Sequence, residues 1–352
     1  MATDVLTIEQ EITPPALANR PELIRVDRRG PILRPSPRVE GVYGLDLTGG
    51  CLHGCPFCYL RGSARYPGEG RVFYDPGVAE RLPEALDALG TPPRLVVLSP
   101  LSDPLPPSLE IRRATTAIVQ TLLGRGIEVL VMTRGRVGPA LVDVLAAHPG
   151  KAKVALGFLT CDPKLGKVLE PRAASTRARL RSLARLIGAG VDVEVRLEPL
   201  IPDLTDTHEN LFPLFDALAR AGTRRLIAHY LFQQPAMMTP LDEALAPLGR
   251  VERLADQFTG GPVFKIGSIG ATKHLPLEAR QAGLARLIVW GAEHSLTVET
   301  GSAQNPDLRR VEHAPVPPTP KRPKRATSRK AKSKRQNEPE GLEERSEVLQ
   351  TV

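Results

Sequence analysis

Three of the four cysteines in this 352-residue chain fall in one short loop: Cys51, Cys55 and Cys58, spaced C-x3-C-x2-C. The loop, within GLDLTGGCLHGCPFCYLRGS at 44–63, follows a β-like run from Val42 to Leu47. So local a span lets three thiolates reach one small object without help from distant parts of the fold. A single zinc ion asks for a fourth ligand to close its tetrahedron. His53 lies between the first two cysteines, too near both to close such a site comfortably, and the remaining thiol, Cys161, is far along the chain. Three thiolates and an open position suit a [4Fe–4S] cube whose last iron takes a non-protein ligand. A zinc knuckle, or three unrelated buried cysteines, is the alternative that spacing alone leaves open.

The elements that must hold this loop are regular. Apolar, β-rich runs at Val42–Leu47, Leu95–Leu98, Glu128–Thr133, Lys153–Leu159, Val191–Leu200 and Arg225–Phe232 alternate with segments of helical period. The helical segments are Val78–Leu89, Ile111–Leu123, Pro139–Ala147, Thr176–Ile187 and Glu209–Ala221. Gly124 and Gly126, Gly188 and Gly190, and Gly222 stand where helices should end before strands, as glycine C-caps do. Strands alternating with helices predict parallel βα units closing into an α/β, TIM-like partial (β/α)6 barrel. Ligands in such barrels gather at the C-terminal ends of the strands, and the cysteine loop follows the first.

The expected organisation has four parts. Residues 1–40, interrupted by Pro14, Pro15, Pro21, Pro31, Pro35 and Pro37, read as an irregular, extended lead-in. Residues 41–233 are the barrel core. Residues 234–313 form a C-terminal helical extension with helices at Leu241–Phe258 and Leu277–His294 and a short strand at Leu296–Glu299, covering the open side or floor of the barrel. Residues 314–352 are a Pro-, Lys- and Arg-rich tail with almost no apolar residues, which predicts disorder.

The formal charge of +8 belongs largely to that tail. Ten Lys/Arg against five Glu give it +5, so the folded part is only mildly basic and the pI says little about a nucleic-acid face. Nine of these cations lie between Lys321 and Arg335, with little aromatic interleaving, and suit nonspecific phosphate contacts with nucleic acid or simply solubility. The sequence shows no run apolar enough for a membrane span and no basic-then-apolar secretory start. Clustered cysteines do not suggest a disulfide framework, so a reducing cytoplasm is the expected compartment.

The cysteine motif, with Phe57 before its last cysteine, resembles the signature of the radical S-adenosylmethionine (SAM) superfamily. The nearest branch is the spore photoproduct lyase-like, or DNA repair photolyase-like, proteins. Three segments carry the likeness: CLHGCPFCYL; SPLSDPLPPSLEIRRATT at 99–116; and LTCDPKLGKVLEPRAASTRARLRSLARLIGAGVDVEVRLEPLIPDLTD at 159–206. The resemblance implies a radical SAM barrel holding a [4Fe–4S] cluster on Cys51, Cys55 and Cys58. SAM chelates the open iron through its amino and carboxylate groups. One electron, from a donor such as flavodoxin or ferredoxin, then cleaves it to a 5′-deoxyadenosyl radical that abstracts hydrogen from substrate. It places Arg134 at the SAM carboxylate; Ser102 and Asp103, after the second strand, can accept from its cationic amino group, Thr160 at the end of the fourth strand suits ribose or carboxylate, and Phe57 is expected near adenine, with Glu170 and Arg172 just beyond. Tyr59 resembles a lyase tyrosine implicated in radical transfer.

The departures bear on substrate. The lyase has a hydrogen-donating cysteine in its second-strand loop, where this chain reads Ser99-Pro100-Leu101-Ser102-Asp103. Gly301 and Ala303 stand where relatives carry cysteines before Asn305-Pro306-Asp307, and Gly157 replaces a family serine. Cys161, at the predicted end of the fourth strand, is therefore the candidate hydrogen donor, against the ordinary fate of a free cysteine as a small buried hydrophobe. A nucleic-acid-associated iron–sulfur protein, or a zinc module, without radical catalysis is the competing reading.

Overall fold

The predicted strands assemble in sequence order. The computed structural model describes residues 21–249, 251–266, 270–301 and 305–308; the basic tail, residues 1–20 of the lead-in and Ala303 lie outside them. The described residues begin with β1 (Glu22–Arg25), β2 (Leu33–Pro35), β3 (Val42–Leu45), β4 (Thr48–Gly49) and β5 (Arg71–Tyr74). Helix α1 (Val78–Asp87) leads to β6 (Leu95–Leu98), α2 (Leu109–Gly124), β7 (Glu128–Thr133), α3 (Pro139–Ala146) and β8 (Ala152–Phe158). Then come α4 (Pro163–Leu169), α5 (Thr176–Gly188), β9 (Asp192–Leu200), α6 (His208–Arg220) and β10 (Arg225–Tyr230). The remainder comprises α7 (Pro235–Leu245), α8 (Val251–Gln257), β11 (Val263–Ile266), β12 (Gly270–Lys273), α9 (Leu277–Glu293) and β13 (Thr297–Glu299).

The main sheet runs β13-β10-β9-β8-β7-β6-β3-β2. All neighbours are parallel except β2, which is antiparallel to β3. The six expected strands thus lie side by side as a partial (β/α)6 barrel, and β13 adds a further parallel strand beyond β10 rather than a floor. Two of the lead-in's residues-21-to-40 segments are strands: β2 edges the main sheet, and β1 pairs with β5. The single helix expected at Leu241–Phe258 is two, α7 and α8, broken near Gly249, whose φ is +62°.

Local chemistry explains where helices begin and end. Ser108, Ser175 and Thr207 each accept a hydrogen bond from the backbone N–H three residues on, capping α2, α5 and α6. At the other ends Gly126, Gly190 and Gly222 take φ of +76°, +75° and +101°, a region glycine enters without a Cβ penalty.

Side chains alternate across the sheet. One face, including Val96, Leu98, Val129, Val131, Val154 and Leu156, packs under the helices in the main core. The inner face carries a separate small cluster: Val42, Leu95, Val97, Leu130 and Ala155. Around the barrel that inner face turns polar. Lys153 on β8 and Glu194, Arg196 and Glu198 on β9 form a ladder, with Lys153–Glu194 at 3.4 Å and Arg196–Glu198 at 3.0 Å. One wall of the barrel is apolar, and the opposite wall is a charge-balanced network of buried ion pairs.

Candidate cluster and cofactor site

A cavity of about 580 Å³ opens at the C-terminal ends of β3, β6, β7, β8, β9 and β10. Cys51, Cys55 and Cys58 line it together with Phe57, Ser102, Asp103 and Arg134. The chain folds this way locally because glycines release the backbone: Gly50 and Gly54 take φ of +86° and +67° on either side of Cys51. All four cysteines are free thiols. Burial pushes all three loop thiols up, Cys55 to about 12, so a ligand that takes thiolates must displace protons. Among the described residues no three His, Cys, Asp or Glu side chains converge as a single-ion site would need. A cube spreads its thiolates over different irons, and three thiols along one cavity wall, Cys55 buried and Cys51 and Cys58 half-buried, fit that demand.

The loop after β6 supplies hydroxyls. Ser99 and Ser102 line the cavity, and neither buried Oγ has a partner. Ser99 holds a φ of +51°, uncommon outside glycine and a form of strain that clusters at functional sites. Asp103 is a brace rather than an open acceptor. Its carboxylate receives Leu105 N–H at 2.8 Å, Thr133 Oγ1–H at 2.7 Å and Arg134 N–H at 2.7 Å, with His53 Nδ1 at 3.4 Å. Burial draws the His53 pKa down against the pull of Asp103.

Arg134 reaches the cavity under tight restraint. Its guanidinium donates to Glu170 Oε1 at 2.6 Å and to the Glu198 carbonyl, and stacks 5.3 Å from the Phe57 ring centroid. A Cβ on Gly157 would lie 3.1 Å from that guanidinium, so glycine at this position leaves Arg134 its path across β8. Tyr59 also lines the cavity; its hydroxyl donates to the Pro100 carbonyl at 3.2 Å, and burial raises its pKa.

Four of the expected site residues are not brought to the cavity wall. Thr160 is fully buried, its hydroxyl accepting from Asp162 N–H at 2.9 Å. Glu170 lies between Arg134 and Arg179 in a buried triad. Burial would raise its carboxyl, but the two guanidiniums hold it below the usual range. Arg172 grips the cysteine loop from behind, Nε donating to the Leu52 carbonyl at 3.1 Å and its backbone N–H to the His53 carbonyl at 3.2 Å. Cys161 sits just past the end of β8 but turns to α6, with Sγ 3.8 Å from the Pro213 carbonyl. Strand-end position was the basis for expecting Cys161 at the substrate, and the chain's direction after Leu159 carries it outward.

Residues 45–212 match the model of the Radical SAM superfamily. The chain carries a radical SAM domain, the domain of radical SAM enzymes. Over 257 residues it is 24% identical to an uncharacterized protein of Acidianus two-tailed virus, covering 66% of this chain and 85% of that protein. Over 191 residues it is 28% identical to an uncharacterized protein of Mycobacterium tuberculosis, covering 51% of this chain and 56% of that one, so the chain spans little more than half the mycobacterial relative. Among solved structures it is similar to spore photoproduct lyase complexed with dinucleoside spore photoproduct: TM-score 0.57, 16% identity, 84% of this chain and 87% of the other. A form of that lyase with bound AdoMet and dinucleoside spore photoproduct matches equally, with TM-score 0.57 and 16% identity. At this identity the likeness is one of fold, and it extends well past the radical SAM domain.

Within the radical SAM domain, sequence reasoning missed Arg179. It is 1% exposed, donates to Glu170 and to the Gly157 carbonyl at 2.5 Å, and lies 5.4 Å from the Phe158 ring. Arg177, Arg181 and Arg185 mark the helix as basic, but Arg179 lies on the opposite face with Leu183 and Leu186, and that spacing was the signal that could have found it. Beyond the domain, His229 and Arg280 were also missed; both are buried and hydrogen-bonded to Asn305, in the Asn-Pro-Asp segment that the sequence did single out.

Proposed function

We propose that this chain holds a [4Fe–4S] cluster on Cys51, Cys55 and Cys58 and SAM in the adjoining cavity, and acts on a substrate related to nucleic acid. One observation carries the reading: three cysteines, one buried and two half-buried, and two partnerless hydroxyls share one cavity at the strand ends of a radical SAM domain. With cluster and SAM bound, the chemistry supplied is reductive cleavage of SAM to methionine and a 5′-deoxyadenosyl radical that takes hydrogen from substrate.

The residues divide that work. Cys51, Cys55 and Cys58 give up their protons to become ligands. Ser102 and Ser99 offer hydroxyl oxygens to the SAM ammonium. Asp103 keeps the Ser102 loop and the Arg134 backbone in register, while Arg134 offers positive charge toward the carboxylate and presses Phe57 against the adenine side. Glu170 and Arg172 act through Arg134 and the cysteine loop, not by contact. Tyr59, next in the chain after Cys58, lines the same cavity with its hydroxyl on the Pro100 carbonyl. Nothing in the geometry favours a substrate contact for Thr160 or Cys161.

The nucleic-acid reading draws on the fold likeness to a lyase solved with a dinucleoside ligand and on Arg34, Arg38, Arg61 and Arg65 around the cavity. The electron donor is a small protein such as flavodoxin or ferredoxin, and the basic tail adds nonspecific affinity for phosphates. Among the described residues no helix is long and apolar enough to cross a membrane, and unpaired thiols suit a reducing cytoplasm.

The test is anaerobic reconstitution with iron and sulfide, then reduction in the presence of SAM. Four irons per chain and release of 5′-deoxyadenosine are expected. A fully loaded cluster without SAM cleavage would refute the reading, and zinc without iron would replace it with the zinc module.

A further inference from the structure

We propose that His229 is the substrate-facing hydrogen-bond donor of the cavity, set by Asn305 to present Nε2–H to a carbonyl oxygen. This rests on the reading of the cavity as the place where substrate meets SAM. His229 is 2% exposed, lines the cavity from β10, and has a buried Nε2 without a partner. A buried polar atom left unmatched in a cavity wall asks for a ligand.

The tautomer follows from a chain of obligate donors. Arg280 on α9, 1% exposed, donates Nη1–H to Asn305 Oδ1 at 3.1 Å. A guanidinium only donates, so the oxygen of that amide faces Arg280 and its nitrogen faces the other way. Asn305 Nδ2 then lies 3.1 Å from His229 Nδ1, and 3.3 Å from the Gly301 carbonyl. An amide N–H directed at Nδ1 requires Nδ1 to accept, which places the ring's single proton on Nε2. Asp307 completes the anchor by pairing with Arg280 at 2.8 Å.

The surroundings choose the kind of acceptor. Burial draws the His229 pKa down to about 4, with Glu198 opposing and Arg196 assisting, so the imidazole is neutral. The charges facing it from β9 are already balanced: Arg196 pairs with Glu198, and Lys153 with Glu194 behind them. A phosphate at this wall would find no net positive charge, whereas an uncharged carbonyl, as on a nucleobase, needs one N–H donor and no counter-ion.

The experiment uses the full chain labelled with 15N-histidine and without cluster, so it does not depend on radical chemistry. His229 is assigned by the resonance lost in His229→Gln. Expected is a neutral ring with Nε2 protonated from about pH 8 to about pH 5. In Asn305→Asp the carboxylate can only accept, so the proton should move to Nδ1. An Nδ1–H tautomer in the parent, or a charged ring at about pH 6.5, overturns the orientation.

The ligand class is read by titrating the dinucleoside monophosphates TpT, CpC, GpG and ApA, of which only ApA lacks a base carbonyl. At least one carbonyl-bearing probe should shift the His229 Nε2–H resonance while ApA does not. In His229→Leu that probe should bind about tenfold more weakly, and in His229→Gln, which keeps a donor, less so. No shift with any probe, or an equal shift with ApA, overturns the carbonyl assignment. Failure of the reconstituted enzyme to cleave SAM would instead refute the radical reading and leave these spectra as they are.

Discussion

The guanidinium of Arg172 occupies the space that a Cβ on Gly54 would need, so the cysteine loop closes directly onto that side chain. Gly54 also holds a φ of +67°, where only glycine is at ease. Two residues far apart in sequence thus fix the turn between Cys51 and Cys55, and the loop's shape depends on a residue from beyond α4.

Gly54→Ala should therefore suffer twice, from the left-handed backbone at about 1–2 kcal/mol and from collision with Arg172. Arg172→Ala removes the collision but also the bond to the Leu52 carbonyl. In a double-mutant cycle read by urea unfolding, Gly54→Ala should cost less in the Arg172→Ala background than in the parent. Both single variants should retain less iron after reconstitution than the parent. Additive costs within about 0.5 kcal/mol would show that the two residues do not meet in solution.

The Arg134–Glu170–Arg179 triad gives a second test. Glu170→Gln keeps the shape but removes the charge that neutralises two buried guanidiniums. Breaking one partner of a buried ion pair costs about 3–5 kcal/mol, and the urea midpoint should fall accordingly. Arg179→Met, matched in length and apolar against Phe158, should be milder than Arg179→Ala. A Glu170→Gln protein as stable as the parent would mean that Arg134 is held by other groups.

The fold was largely legible because its signals are local. Glycines at helix ends and apolar, β-rich runs alternating with helical ones placed the six parallel strands in order. The three-residue strand β2 hid in a proline-rich stretch, since nothing in Leu33–Pro35 announces a partner until β3 is beside it. The spacing of Cys51, Cys55 and Cys58 announced that three thiols share one loop, and the fold sets that loop on the wall of the cavity. Arg172, Glu170 and Thr160 were found as polar residues near strand ends, yet proximity in sequence to a strand end does not say which way a side chain turns. Arg179 and Arg280 were missed for a different reason: an arginine on a helix reads as solvent-facing until a carboxylate or amide from another element meets it.

Stability should fall in mild acid, with a part of the slope assignable to one residue. Burial lowers the pKa of His274 to about 4, and its Nε2 lies 2.9 Å from Thr272 Oγ1. An unfolded histidine titrates near 6.5, so between about pH 6.5 and about pH 4 the unfolded chain binds a proton that the folded one refuses. The contribution of a neutral His274 is whole above the unfolded pKa and is lost as pH falls toward the folded one, by about 1.4 kcal/mol per pH unit. His274→Gln should flatten the stability–pH curve in that window by roughly this slope. Parallel curves for the two proteins would show that His274 takes up its proton as readily in the fold as in the unfolded chain.

Substituting the cysteines one at a time should divide them three to one. Cys51, Cys55 and Cys58 line the cavity, whereas Cys161 faces the Pro213 carbonyl on α6, near Arg220 and Asp216. A hydrogen donor must reach a carbon radical at the substrate, and a thiol packed on the far side of a strand end cannot do so without unwinding the start of α4. Cys161→Ala should bind the full complement of iron, cleave SAM at the parent rate and leave the ratio of product to 5′-deoxyadenosine unchanged once a substrate is in hand. Stability should drop by no more than about 1 kcal/mol, the ordinary scale for a half-buried side chain. Each of Cys51→Ala, Cys55→Ala and Cys58→Ala should lose iron together with SAM cleavage. If Cys161→Ala instead kept its iron but released altered products, the segment after β8 would have to move into the cavity during turnover, and the donor role would return to Cys161.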